Sequence, residues 1–211
     1  KPAMQDLDPD NAQRRTIAAF FDRWAQSRGR FAALGRYYLR DLARFYRQNI
    51  SPGSRILEAG CGAGDLLAAL SPAPGSCGID VSPRMVEQAR ARHPGLAFDV
   101  MDAESMRVER PFDAIVASDL LGDLVDVQRF FASARGALAP GGRLYVDFYN
   151  PLWEGMFQMA SWIGLRMPRP VQNWLPFGAV ESIARLEGFE LVRATRAVLM
   201  PVWIQGFSEL L

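Results

Sequence analysis

The chain has 211 residues, 49% of them hydrophobic, with a formal net charge of +1, enough apolar material for one sizeable core. That charge balance, without an acidic or basic tail, argues against a nucleic-acid partner recruited by bulk electrostatics. Cys61 and Cys77 are too few for a disulfide scaffold and sit in no metal-ligand spacing, so free thiols and no metal centre are expected.

No apolar run reaches the ~20 residues that span a bilayer, and Lys1-Pro2-Ala3-Met4 lacks a signal-peptide core, so a cytoplasmic location is expected. A start at Lys and an end at Leu210-Leu211 also fit a piece of a longer protein.

From about Asn11 to Asn49 the composition is helix-forming. Leu34, Tyr38, Leu42, Phe45 and Asn49 recur at three- and four-residue steps, while Arg36, Arg40, Arg44 and Arg47 fall on another face. Ser51-Pro52-Gly53 breaks the helix, and a β/α alternation begins. It predicts a strand near Arg55 to Ala59, a helix from Ala63 to Leu70, a strand from Ser76 to Asp80 and a helix from Pro83 to Arg92. Ser82 and Pro83 suit the N-cap and first turn of that helix, and His93-Pro94-Gly95 stops it.

Strands at Leu96 to Met101 and Phe112 to Ser118 follow, then a helix around Leu124 to Leu138 and a strand from Gly142 to Tyr149. Short apolar strands separated by amphipathic helices predict the α/β class: a doubly wound, Rossmann-like, mostly parallel sheet. After Asn150-Pro151 comes a Trp- and Met-rich segment to Met167, then a Pro-punctuated loop to Pro176. A helix to Leu186, a stop at Gly188 and strand-like sequence from Phe189 to Ile204 complete the chain. The sheet then has six strands, or seven if Ala197 to Ile204 pairs back; Pro201 suits an edge.

The most informative stretch runs from Ile56 to Leu67, leaving a strand, turning on Gly60, Gly62 and Gly64, and entering a helix. A dinucleotide fingerprint needs a glycine at the sixth place, but that place is Asp65 counted from Gly60 and Leu67 counted from Gly62. A phosphate-binding P-loop is excluded because no Gly-Lys-Ser/Thr follows. With Glu58 just upstream, this G-x-G-x-G loop resembles motif I of the class I S-adenosylmethionine (SAM)-dependent methyltransferases.

The resemblance continues in order over residues 54 to 149, through Cys77-Gly78-Ile79-Asp80, Met101-Asp102-Ala103-Glu104, Ala117-Ser118-Asp119-Leu120-Leu121 and the turn Leu138-Ala139-Pro140-Gly141-Gly142-Arg143-Leu144. It implies SAM as the cofactor. Gly60, Gly62 and Gly64, with Cys61 among them, would line its methionine part, and Asp80 would take the ribose hydroxyls. Val81 and Met85 would flank the adenine, and Asp102 with Ala103 would read its amino edge. Ser118 and Asp119 would border the sulfonium and the acceptor. Glu58 either serves the cofactor or bonds loop amides to hold the turn.

Methyl transfer from a sulfonium needs alignment, exclusion of water and, for a hydroxyl acceptor, removal of a proton. His93, the single histidine, sits in a helix stop expected on the far side of the sheet. Tyr37, Tyr38, Asp119, Asp123 and Tyr149 remain, of which Asp119, Tyr38 and Tyr149 are the catalytic candidates. Packing is the other reading for the tyrosines, and capping ahead of Leu124 for Asp123.

Ser118-Asp119-Leu120-Leu121 departs from the Asn/Asp-Pro-Pro-aromatic turn of base-amino methylation, and neither cysteine is placed for cytosine C5 or arsenic chemistry. The acidic amine-binding motif of an aminopropyltransferase is not evident. A small-molecule or lipid-like acceptor remains. Trp153, Trp162, Trp174 and Trp203, with Phe148, Met156, Phe157, Met159 and Phe177, would cover that acceptor, fill a core or form a homodimer face.

Tyr149 to Glu154 and Met167 to Leu175 resemble bacterial methyltransferases associated with glycosyltransferases. That resemblance implies a lipid- or sugar-linked acceptor, with Asn150 and Asn173 orienting a polyol. The arginine face is a solvated surface, a peripheral membrane or phosphate contact, or an RNA contact, the last disfavoured by the near-zero net charge.

The expected organisation is one domain over 1–211, with N-terminal helices over 10–50, a SAM-binding core over 54–149, an acceptor-covering segment over 150–188 and the final strand or strands over 189–211. A non-catalytic SAM-binding regulatory or assembly protein is the alternative.

Overall fold

The computed structural model describes residues 9–27, 32–149, 151, 154–162 and 172–195. Two helices, α1 (Pro9–Ser27) and α2 (Ala32–Asn49), precede the sheet. Then β1 (Ile56–Ala59), α3 (Asp65–Ala69), β2 (Cys77–Asp80), α4 (Pro83–Arg92), β3 (Ala97–Val100), β4 (Phe112–Ser118), α5 (Val127–Ala137) and β5 (Leu138–Asp147) alternate. Helices α6 (Glu154–Trp162) and α7 (Phe177–Leu186) follow.

The strands form one parallel sheet in the order β3-β2-β1-β4-β5. Strand β1 lies at its centre, buried along its whole length, as a parallel strand covered on both faces must be. One layer packs Leu57, Ile79 and Ile115 against Phe130, Phe131 and Ala134 of α5. The other packs Ile56 and Val116 against Leu42 and Tyr46 of α2, Leu67 of α3, and Val86 and Ala89 of α4. Strand order reverses between β1 and β4, and open α/β sheets bind ligands in the crevice beyond the carboxyl ends of the strands at such a switch point.

The start of α4 follows the sequence reading, with Ser82 Oγ accepting the Met85 amide at 3.2 Å. Several boundaries differ. Helix α5 begins at Val127, capped by Asp126 Oδ1, which accepts the Arg129 amide at 2.9 Å; Asp123 instead closes a 3-10 turn over Leu121–Asp123. Strand β5 starts at Leu138, not Gly142, because Phe112 already pairs with Leu138; a register shift beside Ala114 accommodates the glycine turn. It ends at Asp147, short of Tyr149.

Among the described residues the sheet has five strands, and 189–195 carry none. There Phe189 turns to α5, its ring 5.8 Å from that of Phe131, while Arg135 Nη1 donates to Gly188 O at 2.5 Å. Residues 196–211, with the rest of the expected last strands and Trp203, lie outside the described residues, as do Asn150, Trp153 and 163–171. On α2 the apolar face includes Tyr46, only 1% exposed, which the periodicity passed over. Trp162 is 94% exposed, so a core role does not hold for it.

Gly78, in β2, faces Cys61 and Phe98, and a Cβ there would lie 2.8 Å from carbon atoms of each. Gly78→Ala is expected to cost about 1–3 kcal/mol by overpacking, seen as a lower urea midpoint at unchanged slope.

Candidate cofactor and acceptor site

A cavity of about 1100 Å³ opens at the carboxyl ends of the strands, with Gly60, Gly62, Asp80 and Asp102 along one part and Tyr38 and Asp119 at another. Its floor is the glycine loop, built by backbone bonds from β1 to β2. The Gly60 and Cys61 amides donate to Ile79 O at 2.8 and 2.9 Å, and the Gly64 amide donates to Cys61 O at 2.9 Å.

Gly64 sits at φ +76°, where an added Cβ would strike the Phe98 ring at 2.5 Å. Gly62, at φ +51°, differs: a Cβ there would meet nothing within 4 Å. The main chain at Gly62 is therefore open to close approach by a ligand.

Two carboxylates hold this loop. Asp80 Oδ2 accepts the Gly62 amide and its Oδ1 the Ser82 amide, both at 2.9 Å. Glu58 Oε2 accepts the Leu67 amide at 2.9 Å from a position 3% exposed, which favours the turn-holding reading of Glu58. Burial pushes the Asp80 carboxyl up, and the two amides pull it back. Each Asp80 oxygen keeps acceptor capacity beyond its amide bond.

Val81, Met85 and Ala103 line the cavity beside Asp80 and Asp102. Asp102 Oδ1 accepts the Glu104 amide at 2.8 Å, and its Oδ2 lies 3.1 Å from Arg14 Nε of α1. Burial pushes the Cys61 thiol up, and the charges of Glu58 and Asp80 add to that, so it is no ready nucleophile.

At the other end Tyr38, Ser118 and Asp119 line the cavity, and Tyr149 hydrogen-bonds Tyr38. All three catalytic candidates therefore meet in one place. Burial raises Tyr38 far above an ordinary phenol, and the charges of Asp147 and Asp119 reinforce it. Asp119 occupies the left-handed region at φ 49°, and its amide donates to Asp147 O at 3.2 Å and to Asp147 Oδ2 at 3.3 Å.

The sequence reading missed Asp147, Tyr46 and Arg14. Tyr46 Oη donates to Asp147 Oδ1. Burial raises the Asp147 carboxyl to about 6, against the bonds from Tyr46 and Ser118. The available signal was an acid ending an otherwise apolar fifth strand. His93, expected on the far side of the sheet, instead lines this same cavity, its Nε2 lying 3.0 Å from Asp65 Oδ1 and bracing the start of α3. Asn173 donates from Nδ2 to Leu124 O at 2.7 Å, a bond that ties down the β4–α5 loop.

Residues 57–144 match a family model described as a methyltransferase domain. The chain is 30% identical over 213 residues to a ubiquinone biosynthesis O-methyltransferase of Methylocella silvestris, covering 85% of this chain and 79% of that protein. It is 42% identical over 101 residues to a trans-aconitate 2-methyltransferase of Methylobacterium radiotolerans, a match covering 46% of this chain and 39% of that protein. The chain thus spans about two fifths of the length of such relatives. A SAM-dependent methyltransferase of Thermotoga maritima shares the fold, with a TM-score of 0.68 at 21% identity over 83% of this chain and 82% of that one.

Glu58 gives the loop a pH dependence. Burial, opposed by the Leu67 amide and aided by the charges of Asp80 and Asp65, pushes its carboxyl up to about 8. The folded chain thus prefers the protonated form, so the stability it confers is complete below the unfolded value of about 4.3 and disappears as pH rises through the folded value. Between about pH 6 and pH 9 the Tm of the parent should fall more steeply than that of Glu58→Gln, which keeps an oxygen for the Leu67 amide. Equal slopes in the two proteins would refute this origin.

Proposed function

This chain belongs to the class I SAM-dependent methyltransferases, and on that premise we propose that it transfers the methyl group of SAM to an oxygen or nitrogen of a small-molecule acceptor. The observation that carries the reading is the single cavity running from the open main chain at Gly62 to the cluster of Tyr38 and Asp119. SAM, when bound, supplies a methyl group already activated by its sulfonium. The protein's share is then alignment and exclusion of water.

On this reading Gly60, Cys61 and Gly62 line the methionine part, while Gly64, packed on Phe98 and not among the cavity's lining residues, shapes the turn; the spare acceptor capacity of Asp80 takes the ribose hydroxyls. Val81 and Met85 flank the adenine, whose amino edge meets Asp102 and Ala103. Tyr38, kept protonated by burial, donates a hydrogen bond that orients the acceptor, with Tyr149 supporting it. Asp119 takes the acceptor's proton where the acceptor is a hydroxyl.

The whole chain acts as one unit in this account, and the segment after β5 covers the acceptor end. Helix α6 there leaves Met159 60% and Trp162 94% exposed, which favours an acceptor carrying a lipid or sugar-lipid portion.

Calorimetric titration with S-adenosylhomocysteine, with NADH as control, tests the cofactor half. The parent should bind the first ligand only, and Asp80→Ala should lose roughly 10- to 100-fold in affinity. Transfer of labelled methyl from SAM is then followed over phenols, amines, polyols and lipid-linked hydroxyls. Folded parent protein that does not bind S-adenosylhomocysteine would overturn the proposal, and binding with no transfer to any acceptor class would promote the non-catalytic reading.

A further inference from the structure

Helix α1 roofs the cavity. Ile17, Phe20, Phe21 and Trp24 line it from above, Ile17 and Phe20 being 7% and 4% exposed. Two polar anchors hold the helix down. Toward its C-terminal end Asp22 Oδ1 accepts from Ser82 Oγ at 2.5 Å and from the Arg84 amide at 3.2 Å, and Gln88 Nε2 donates to Ala25 O at 2.8 Å.

Toward its N-terminal end, about 12 Å along the helix, Arg14 reaches two acids that follow β3. Its Nε lies 3.1 Å from Asp102 Oδ2, and its Nη2 donates to Glu104 Oε2. The ion pair is poorly hydrated, with the Arg14 side chain 16% and that of Glu104 3% exposed. Glu104 Oε1 meanwhile accepts the Val125 and Asp126 amides at 2.6 and 3.1 Å. Arg14 thus ties the roof at once to the β3 turn and to the start of α5.

The geometry points to Arg14 as a latch that closes α1 over SAM and orients Asp102 at the adenine end, so that its pairing with Asp102 and Glu104, outside the glycine loop, helps set how long cofactor and product stay bound. This rests on the cavity being the SAM site. A guanidinium this enclosed is tolerable only while paired, and without it Asp102 and Glu104 repel one another with Glu104 still buried. The anchor is therefore either made or broken, which is the behaviour a closing element requires.

Stopped-flow displacement of S-adenosylhomocysteine tests the latch. Arg14→Gln, folded but with a Tm lowered by the unpaired Glu104, should dissociate the ligand about tenfold faster at similar association rate, with Arg14→Lys recovering part of both losses. Asp22→Asn, at the other anchor, should also speed release. In the parent, hydrogen exchange of residues 9–27 should slow when S-adenosylhomocysteine is added, a readout that needs no variant. Parental dissociation from folded Arg14→Gln, or exchange in α1 that ignores the ligand, would overturn the latch. A parent that binds no S-adenosylhomocysteine would instead overturn the cofactor assignment beneath it.

Discussion

The Asp80 carboxylate accepts the amides of Gly62 and Ser82, one in the turn after β1 and the other in the turn after β2, and so fixes the spacing of both turns at the carboxyl edge of the sheet. Glu58 does the same one layer deeper, where it takes the Leu67 amide at the start of α3. Glycines make the loop shape accessible but do not select it, since a chain free to adopt positive φ is free to adopt other angles as well. Selection comes from the carboxylates. Both acids resist burial in charged form, and Glu58 goes furthest, holding its proton at neutral pH. A loop held by neutral or amide-bound carboxyls presents a weaker negative field than one lined by bare carboxylates.

The acceptor end follows from the same sheet. Strands β4 and β5 run parallel with Ser118 opposite Asp147, so two acids, Asp119 and Asp147, reach the carboxyl edge side by side. Burial raises Asp147, with the charge of Asp119 adding to it, and Tyr46 from α2 offsets part of that by donating to it. Tyr38 lies two turns earlier on the same helix, since eight residues return to one face. One helix therefore supplies both phenols that answer the two acids, and their relative placement is set by helical period.

Much of this was legible in the sequence. The order of elements followed from periodicity, the glycine loop and its following acids from their spacing and the family resemblance, and Tyr38, Tyr149 and Asp119 were what remained once the single histidine was set aside. What escaped depended on contacts distant in sequence. Arg14 and Glu104 are ninety residues apart, and Tyr46 and Asp147 are 101 apart, so no local pattern couples them. Boundaries slipped where two caps competed: Asp123 and Asp126 both suit an N-cap, and the 3-10 turn at Leu121–Asp123 gave the role to the second. The last strands were read from strand-like sequence over Phe189 to Ile204, but in the described residues Phe189 packs on α5 instead of entering the sheet. Tertiary packing there overrode strand propensity.

The division of labour between sheet and leading helices bears on where specificity resides. The sheet and its loops supply the floor and the backbone amides, a surface that many members of one fold can share. Much of the wall comes from the first fifty residues: α1 brings Arg14 to the end with Asp102, and α2 brings Tyr38 to the end with Asp119. Neither helix contributes a strand pairing, so both are held by side chains alone, through a few buried rings and polar anchors. Helix α2 is seated by Leu42, Ala43 and Tyr46 in the core, whereas α1 leans more on its polar anchors. On the proposed function, both entry of the cofactor and choice of acceptor then depend on these two helices, while the glycine loop stays as the sheet and its two carboxyls set it.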